Sequence, residues 1–173
     1  MVRFKRDRML VEEIYKRTGY KACTASLSII ETIWALKVTN VGLVTPYVGS
    51  IQEKIIRNFR LENFEFVSER HLNLNDNLNF SKVPANEISC ASEEFIRYGA
   101  ETVAVLCTNL VGAGICRRVE NKTCVTMLDR AFCYLGCLPT YWYNYFISLC
   151  MGASFFQFVY EYWISYFSNL VNL

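Results

Sequence analysis

The stretch "VAVLCTNLVGAG", residues 103–114, decides the fold. Four apolar residues run straight into Cys107, and Thr108, Asn109 and a glycine-spaced segment follow. A short unbroken apolar run that ends in turn residues reads as a strand buried on both faces. The glycine-spaced segment leads into "GICRRVEN", a weak helix. A thiol therefore stands where a buried strand stops and a helix is about to begin.

The same pattern extends in both directions. Upstream, "RMLVEEIYKRTG" sets apolar residues at 10, 11, 14 and 15 with Gly19 as its stop, an amphipathic helix. "YKACTAS" is expected to form a short strand, with Ser26 capping the helix "LSIIETIWALKV". "VGLVTPY" is a buried strand ended by Pro46. "SIQEKIIRNFRLE" is again amphipathic, "FEFVSERHL" alternates as a half-buried strand does, and "NLNDNLNF" reads as an Asn/Asp-rich loop. "ANEISCASEEFIRYGA" is a helix between Pro84 and Gly99. Downstream of the opening stretch, "TCVTM" is expected as a strand and "LDRAFCYLG" as a helix. Strands alternating with helices give an α/β fold with a mainly parallel sheet covered on both faces. In such sheets ligands bind at the carboxyl ends of the strands. The polar loops "TPYVGS", "NLNDNL" and "CTNLVGAG" lie at such ends.

Length and composition narrow the function classes. With 173 residues, 20% charged, and a net charge of +2, the chain suits one domain and shows no nucleic-acid surface. The basic start "MVRFKRDR" reads as a solvated helix entry, and no apolar stretch of a secretory signal follows it. A cytoplasmic, reducing location is the expectation, with the eight cysteines as free thiols. Only Cys133 and Cys137 are close together and His71 is the single histidine, so no zinc spacing and no C-x-x-C redox motif is present. Cys23, Cys90, Cys116, Cys124, Cys133, Cys137 and Cys150 read as core or helix-face thiols. Cys107 alone sits at a strand end where helix N-terminal amides would favour a thiolate.

Composition changes abruptly near residue 138, which divides the chain into an α/β domain, 1–138, and a hydrophobic aromatic tail, 139–173. Residues 141–173 hold one charge, Glu161, and half of the aromatics. The uncharged run 131–160 is long enough to cross a bilayer as a helix, yet Asn144, Ser148, Ser154 and Gln157 dilute it. A membrane helix, an interfacial or partner-binding helix, and a tail with no evolved role all stay open.

Five segments, in order, resemble the aspartate/glutamate racemase superfamily, and within it the maleate cis-trans isomerase branch, with arylmalonate decarboxylase and hydantoin racemase as cousins. They are "EEIYKRTGYKACTASLSIIETIWALKVTNVGLVTPY", "LNLNDNLNF", "VPANEI", "VLCTNLVGA" and "NKTCVTMLDRAFCYLG", together covering roughly residues 9–137. The resemblance implies one Rossmann-like half of a two-domain, pseudo-symmetric fold. In that fold two cysteines face a small carboxylate substrate from opposite sides, and no cofactor or metal is required. Position by position, Cys107 matches the second cysteine, the proton donor or acceptor. Tyr47 and Val48 match a loop that holds a carboxylate by hydroxyl and backbone N–H, and Asn77 matches a carboxylate-binding asparagine. Thr108 and Asn109 follow the cysteine, with amides suited to a developing negative charge. Maleate-to-fumarate isomerisation is the favoured implied reaction; an amino-acid racemase or a decarboxylase is the alternative. A homo-oligomer is compatible with the resemblance.

The family's first strand, its first cysteine and a substrate-binding asparagine would lie upstream of Arg8, and the sequence shows no match to them. Cys23 falls in the Thr-turn segment and does not replace that cysteine. The expectation is a truncated enzyme with little or no activity by itself, or a non-enzymatic fragment or membrane-attached protein.

Overall fold

The computed structural model describes residues 3–20 and 22–130. The elements in order are α1 (Phe4–Thr18), α2 (Ala25–Leu36), β1 (Asn40–Thr45), α3 (Gly49–Arg60), β2 (Glu65–His71), α4 (Asn77–Phe80), α5 (Ala85–Arg97), β3 (Thr102–Val105), α6 (Ala113–Thr123) and β4 (Thr126–Asp129). The four strands form one parallel sheet in the order β2-β1-β3-β4. This is the α/β architecture with a parallel sheet that the alternation predicts. The chain leaves β1 toward one edge and returns from β2 across it to β3 on the other side. The order of strands therefore reverses between β1 and β3, the place above whose carboxyl ends parallel α/β sheets bind their ligands.

Burial follows strand position. β3 is buried along its whole length and β1 after its first residue, whereas edge strand β2 alternates between exposed and half-buried. Central parallel strands have no solvent face, which is why their sequences read as apolar runs. One layer packs Ile29, Ile30, Ile33, Ile55 and Phe59 from α2 and α3 against Val41, Leu43, Ala104 and Leu128. The other packs Ile88, Phe95, Ile115 and Val119 from α5 and α6 against Val44, Val103, Val105 and Met127. Gly42 is required by the second layer: a β-carbon there would lie 2.8 Å from Phe95 Cδ2. Glu101 ties the amino ends of β1 and β3 by accepting from the N–H groups of Thr39 and Asn40 at 3.0 and 2.9 Å. These bonds hold its carboxyl below the usual range.

The structure corrects the sequence reading in several places. Residues 22–24 form no strand, and the cap of α2 is Thr24, whose hydroxyl accepts from Leu27 N at 3.2 Å, rather than Ser26. On α1, Leu10 and Tyr15 are exposed, and Phe4 is the buried residue. The helix docks through its first turns: Phe4 meets Phe59 edge-on at 5.0 Å, and Arg8 forks onto Glu62 at 2.6 and 2.7 Å. The end of the expected loop 73–80 is the short helix α4, started by Asp76 Oδ1, which accepts from Leu78 N at 3.0 Å. The last strand begins at Thr126, because Cys124 closes α6 in the left-handed conformation (φ 58°) and is exposed rather than packed. Leu128 and Asp129 therefore belong to β4, not to a following helix. The expected helix beyond them and the aromatic tail 139–173 lie outside the described residues. Among those described, no helix is long and apolar enough to cross a membrane.

Candidate active site

Two loops meet at the point where strand order reverses. Strand β1 ends at Thr45, and Pro46 then removes a ladder donor and turns the chain so that Tyr47 stands above the sheet edge. The turn is held from the β2 side. Leu72, Leu74 and Asn73 donate their N–H groups to the carbonyls of Thr45, Pro46 and Tyr47 at 3.0, 2.8 and 3.2 Å. Beneath it, the Thr45 hydroxyl donates to Gln52 Oε1 at 2.7 Å, and Gln52 Nε2 donates to Glu69 Oε2 at 2.6 Å. Glu69 also lies 3.1 Å from His71 Nδ1. Gln52 is fully buried, so this relay satisfies amide groups that would otherwise be stranded.

Strand β3 continues to Leu106, whose N–H donates to Val44 O at 2.9 Å, and delivers Cys107 beside the Tyr47 loop. Cys107 is buried, at 5% exposure, among the α5–α6 layer. Its surroundings are not purely aliphatic. Tyr47 packs against the same cluster as the thiol, and Asn109 N–H donates to Sγ at 3.4 Å. The Tyr47 ring is fixed edge-on against Phe80 at 5.7 Å, which ties α4 to the same place. Burial above all, then the neighbouring Cys107, push the Tyr47 hydroxyl up to about 12, with Arg130 pulling the other way. At neutral pH the hydroxyl is therefore protonated and able to donate.

The remaining sequence-predicted residues occupy the rim. Val48 is half-buried at the start of α3, where its carbonyl accepts from Ile51 and Gln52. Asn77 is exposed as the first residue of α4, and Thr108 and Asn109 are exposed in the turn closed by Leu110 N–H to Cys107 O at 3.2 Å. The structure thus gathers Tyr47 and Cys107 at one cluster and attaches the Asn77 segment through Phe80. It alters one expectation. The amide nearest the sulfur comes from the 107–110 turn and not from a helix N-terminus, since α6 begins only at Ala113. Of the other described cysteines, Cys116 is buried in α6, Cys23 is half-buried and Cys90 is exposed.

Two residues in this region went unnoticed in the sequence. Asp129, buried at the end of β4, lies against Gly112, where a β-carbon would approach Asp129 Oδ2 to 2.5 Å. Arg130 follows it and reaches Ser26 Oγ at 2.8 Å. Both fall in the segment read as a helix, and a charged pair straight after an apolar run was the available signal.

The sequence model of the arylmalonate decarboxylase family matches residues 3–135. The chain belongs to that family. Its α/β fold is also that of solved structures. Maleate isomerase Iso from Pseudomonas putida S16 superposes with a TM-score of 0.70 at 19% identity, over 76% of this chain and 56% of that one. Nocardia farcinica maleate cis-trans isomerase bound to TRIS gives 0.69 at 20% identity, over 77% and 55%. Unliganded arylmalonate decarboxylase gives 0.66 at 16%, over 76% and 58%. This arylmalonate decarboxylase family chain therefore spans little more than half the length of these relatives, and the likeness is one of fold. No curated protein sequence matches it.

Proposed function

We propose that the chain acts in cofactor-independent proton transfer on a small carboxylate, with Cys107 as the proton-handling thiol and maleate-to-fumarate isomerisation as the favoured reaction. The observation that carries this reading is the Asn109 N–H donated to the Cys107 sulfur, in the same packed cluster as Tyr47 at the carboxyl ends of β1 and β3. A thiol held by a fixed donor is placed to give and take a proton. In the isomerisation a nucleophile on the opposite face adds to one alkene carbon while Cys107 gives its proton to the other. Rotation about the new single bond follows. Cys107 then takes a proton back as the nucleophile leaves and the double bond re-forms as fumarate. Tyr47 and the Val48 N–H receive one carboxylate, and Asn77 and Thr108 border the other.

The chemistry demands that second group across the substrate, so residues 1–173 alone are expected to turn maleate over slowly. The family match favours a second reading with the same thiol. A malonate-type substrate loses carbon dioxide, and Cys107 protonates the carbanion left behind. The test is incubation with maleate, and separately with an arylmalonate, followed by NMR. Cys107→Ala serves as control, and Cys107 alkylation is measured with and without maleate. Fumarate that disappears in Cys107→Ala, or maleate protection of Cys107, supports the reading. No turnover of either compound, together with alkylation indifferent to both, rejects it.

A further inference from the structure

Arg130 occupies a position that the chemistry above does not use. The β3–β4 register ends with Val105 opposite Asp129, so Arg130, the next residue, stands just past the carboxyl end of β4. Asp129 lies on the α6 side against Gly112, whereas Arg130 extends toward the start of α2, where one guanidinium nitrogen donates to Ser26 Oγ at 2.8 Å. Among the described residues its buried Nε has no acceptor. None of the ion pairs among the described residues involves it. A guanidinium carries its donors in a rigid fork, and a buried charged N–H without a partner is costly. Every other element of this rim is tied down: Tyr47 by Asn73 and Phe80, Cys107 by Asn109. Because β1, β3 and β4 run parallel, Arg130 follows β4 at the same end of the sheet where Tyr47 follows β1 and Cys107 follows β3.

We propose that Arg130 is a specificity-determining residue that seats an anionic carboxylate of the substrate, its fork donating to the carboxylate oxygens while Cys107 faces the carbon to be protonated. This rests on the reading of Cys107 as the thiol that serves a small carboxylate. A planar fork matches a carboxylate in a way that a lysine ammonium does not. Ser26 holds one arm of the fork and leaves Nε for the ligand. A doubly charged substrate is thereby favoured over a singly charged or neutral analogue.

The experiment compares alkylation of Cys107 by anionic iodoacetate and neutral iodoacetamide, resolved by peptide mass spectrometry, with exposed Cys90 as reference in the same chain. Maleate binding is measured calorimetrically alongside. In the wild type the iodoacetate-to-iodoacetamide rate ratio is expected to be higher at Cys107 than at Cys90. Arg130→Gln should lower that ratio about tenfold without changing the iodoacetamide rate, and weaken maleate binding by about ten- to a hundredfold. Arg130→Lys should restore most of the alkylation ratio but less of the binding. If Arg130→Gln fails to fold, the wild-type contrast between Cys107 and Cys90 and the Lys variant still decide. Equal ratios at the two cysteines, or a ratio and binding untouched in folded Arg130→Gln, overturn the proposal while maleate protection of Cys107 would keep the thiol reading. A Cys107 that is inert to both reagents in a chain that binds maleate through Arg130 does the reverse: the anion seat stands and the thiol reading falls.

Discussion

A tyrosine hydroxyl beside a thiol in a partly closed crevice has a measurable acid–base signature. Tyr47 is held near 12 chiefly by burial, and an unfolded tyrosine ionises near about 10. Its folded value is the higher one, so its contribution to stability is fully present below pH 10. That contribution is lost as pH rises through the folded value, because the unfolded chain releases the proton first. The expected outcome is that Tyr47→Phe loses less stability than the wild type between these limits, read by denaturant unfolding at each pH. An absorbance titration near 295 nm should show one late-titrating phenol fewer in that variant. A variant that instead loses a phenol ionising near about 10, and unfolds like the wild type at every pH, would place the hydroxyl in open solvent.

At the scale of elements, the site depends on strands brought close by glycine. Gly112 opens α6 against the ends of β3 and β4, where an added β-carbon would also lie 3.1 Å from Val105 Cγ1. Both neighbours are rim residues of the buried sheet, so the strain has no soft outlet. Gly112→Ala is expected to cost about 1–3 kcal/mol, the usual penalty of overpacking, and to slow Cys107 alkylation or alter its selectivity. Gly19→Ala, with nothing within 4 Å of its β-carbon, tests the backbone instead: its φ of +73° makes the change costly by strain at the α1 C-cap. The Gly19 change should leave Cys107 reactivity alone. Thermal unfolding together with thiol kinetics separates the two effects.

Over the whole molecule, the layer beneath the sheet converges on Phe59, which is fully buried and meets Phe4, Phe66 and Phe64 at 5.0, 5.1 and 6.4 Å. Through Phe4 it is the point where α1 is fastened to the rest of the fold. Phe59→Ala is expected to destabilise the chain by about 3–5 kcal/mol and to release α1 early, visible as faster hydrogen exchange in residues 4–18 than in β3. Uniform exchange across α1 and β3 would show instead that the helix unfolds only with the sheet.

What the sequence determined by itself is local and periodic. "VGLVT" and "TVAV" are apolar runs because both faces of a central parallel strand are covered, so β1 and β3 were legible, as were α3, α5 and the turn at Pro46. Cys107 was legible as a thiol at a strand end for the same reason. The tertiary structure decided which ends are neighbours. Strand order depends on contacts between residues far apart in the chain, and no window of sequence contains it. That order alone gathers Tyr47, Cys107 and Arg130 at one end of the sheet. The helix start at Thr24, the short α4 and the 107–110 turn with its amide on sulfur were likewise invisible. Each is chosen by competition among nearby polar groups that only the packed surroundings resolve.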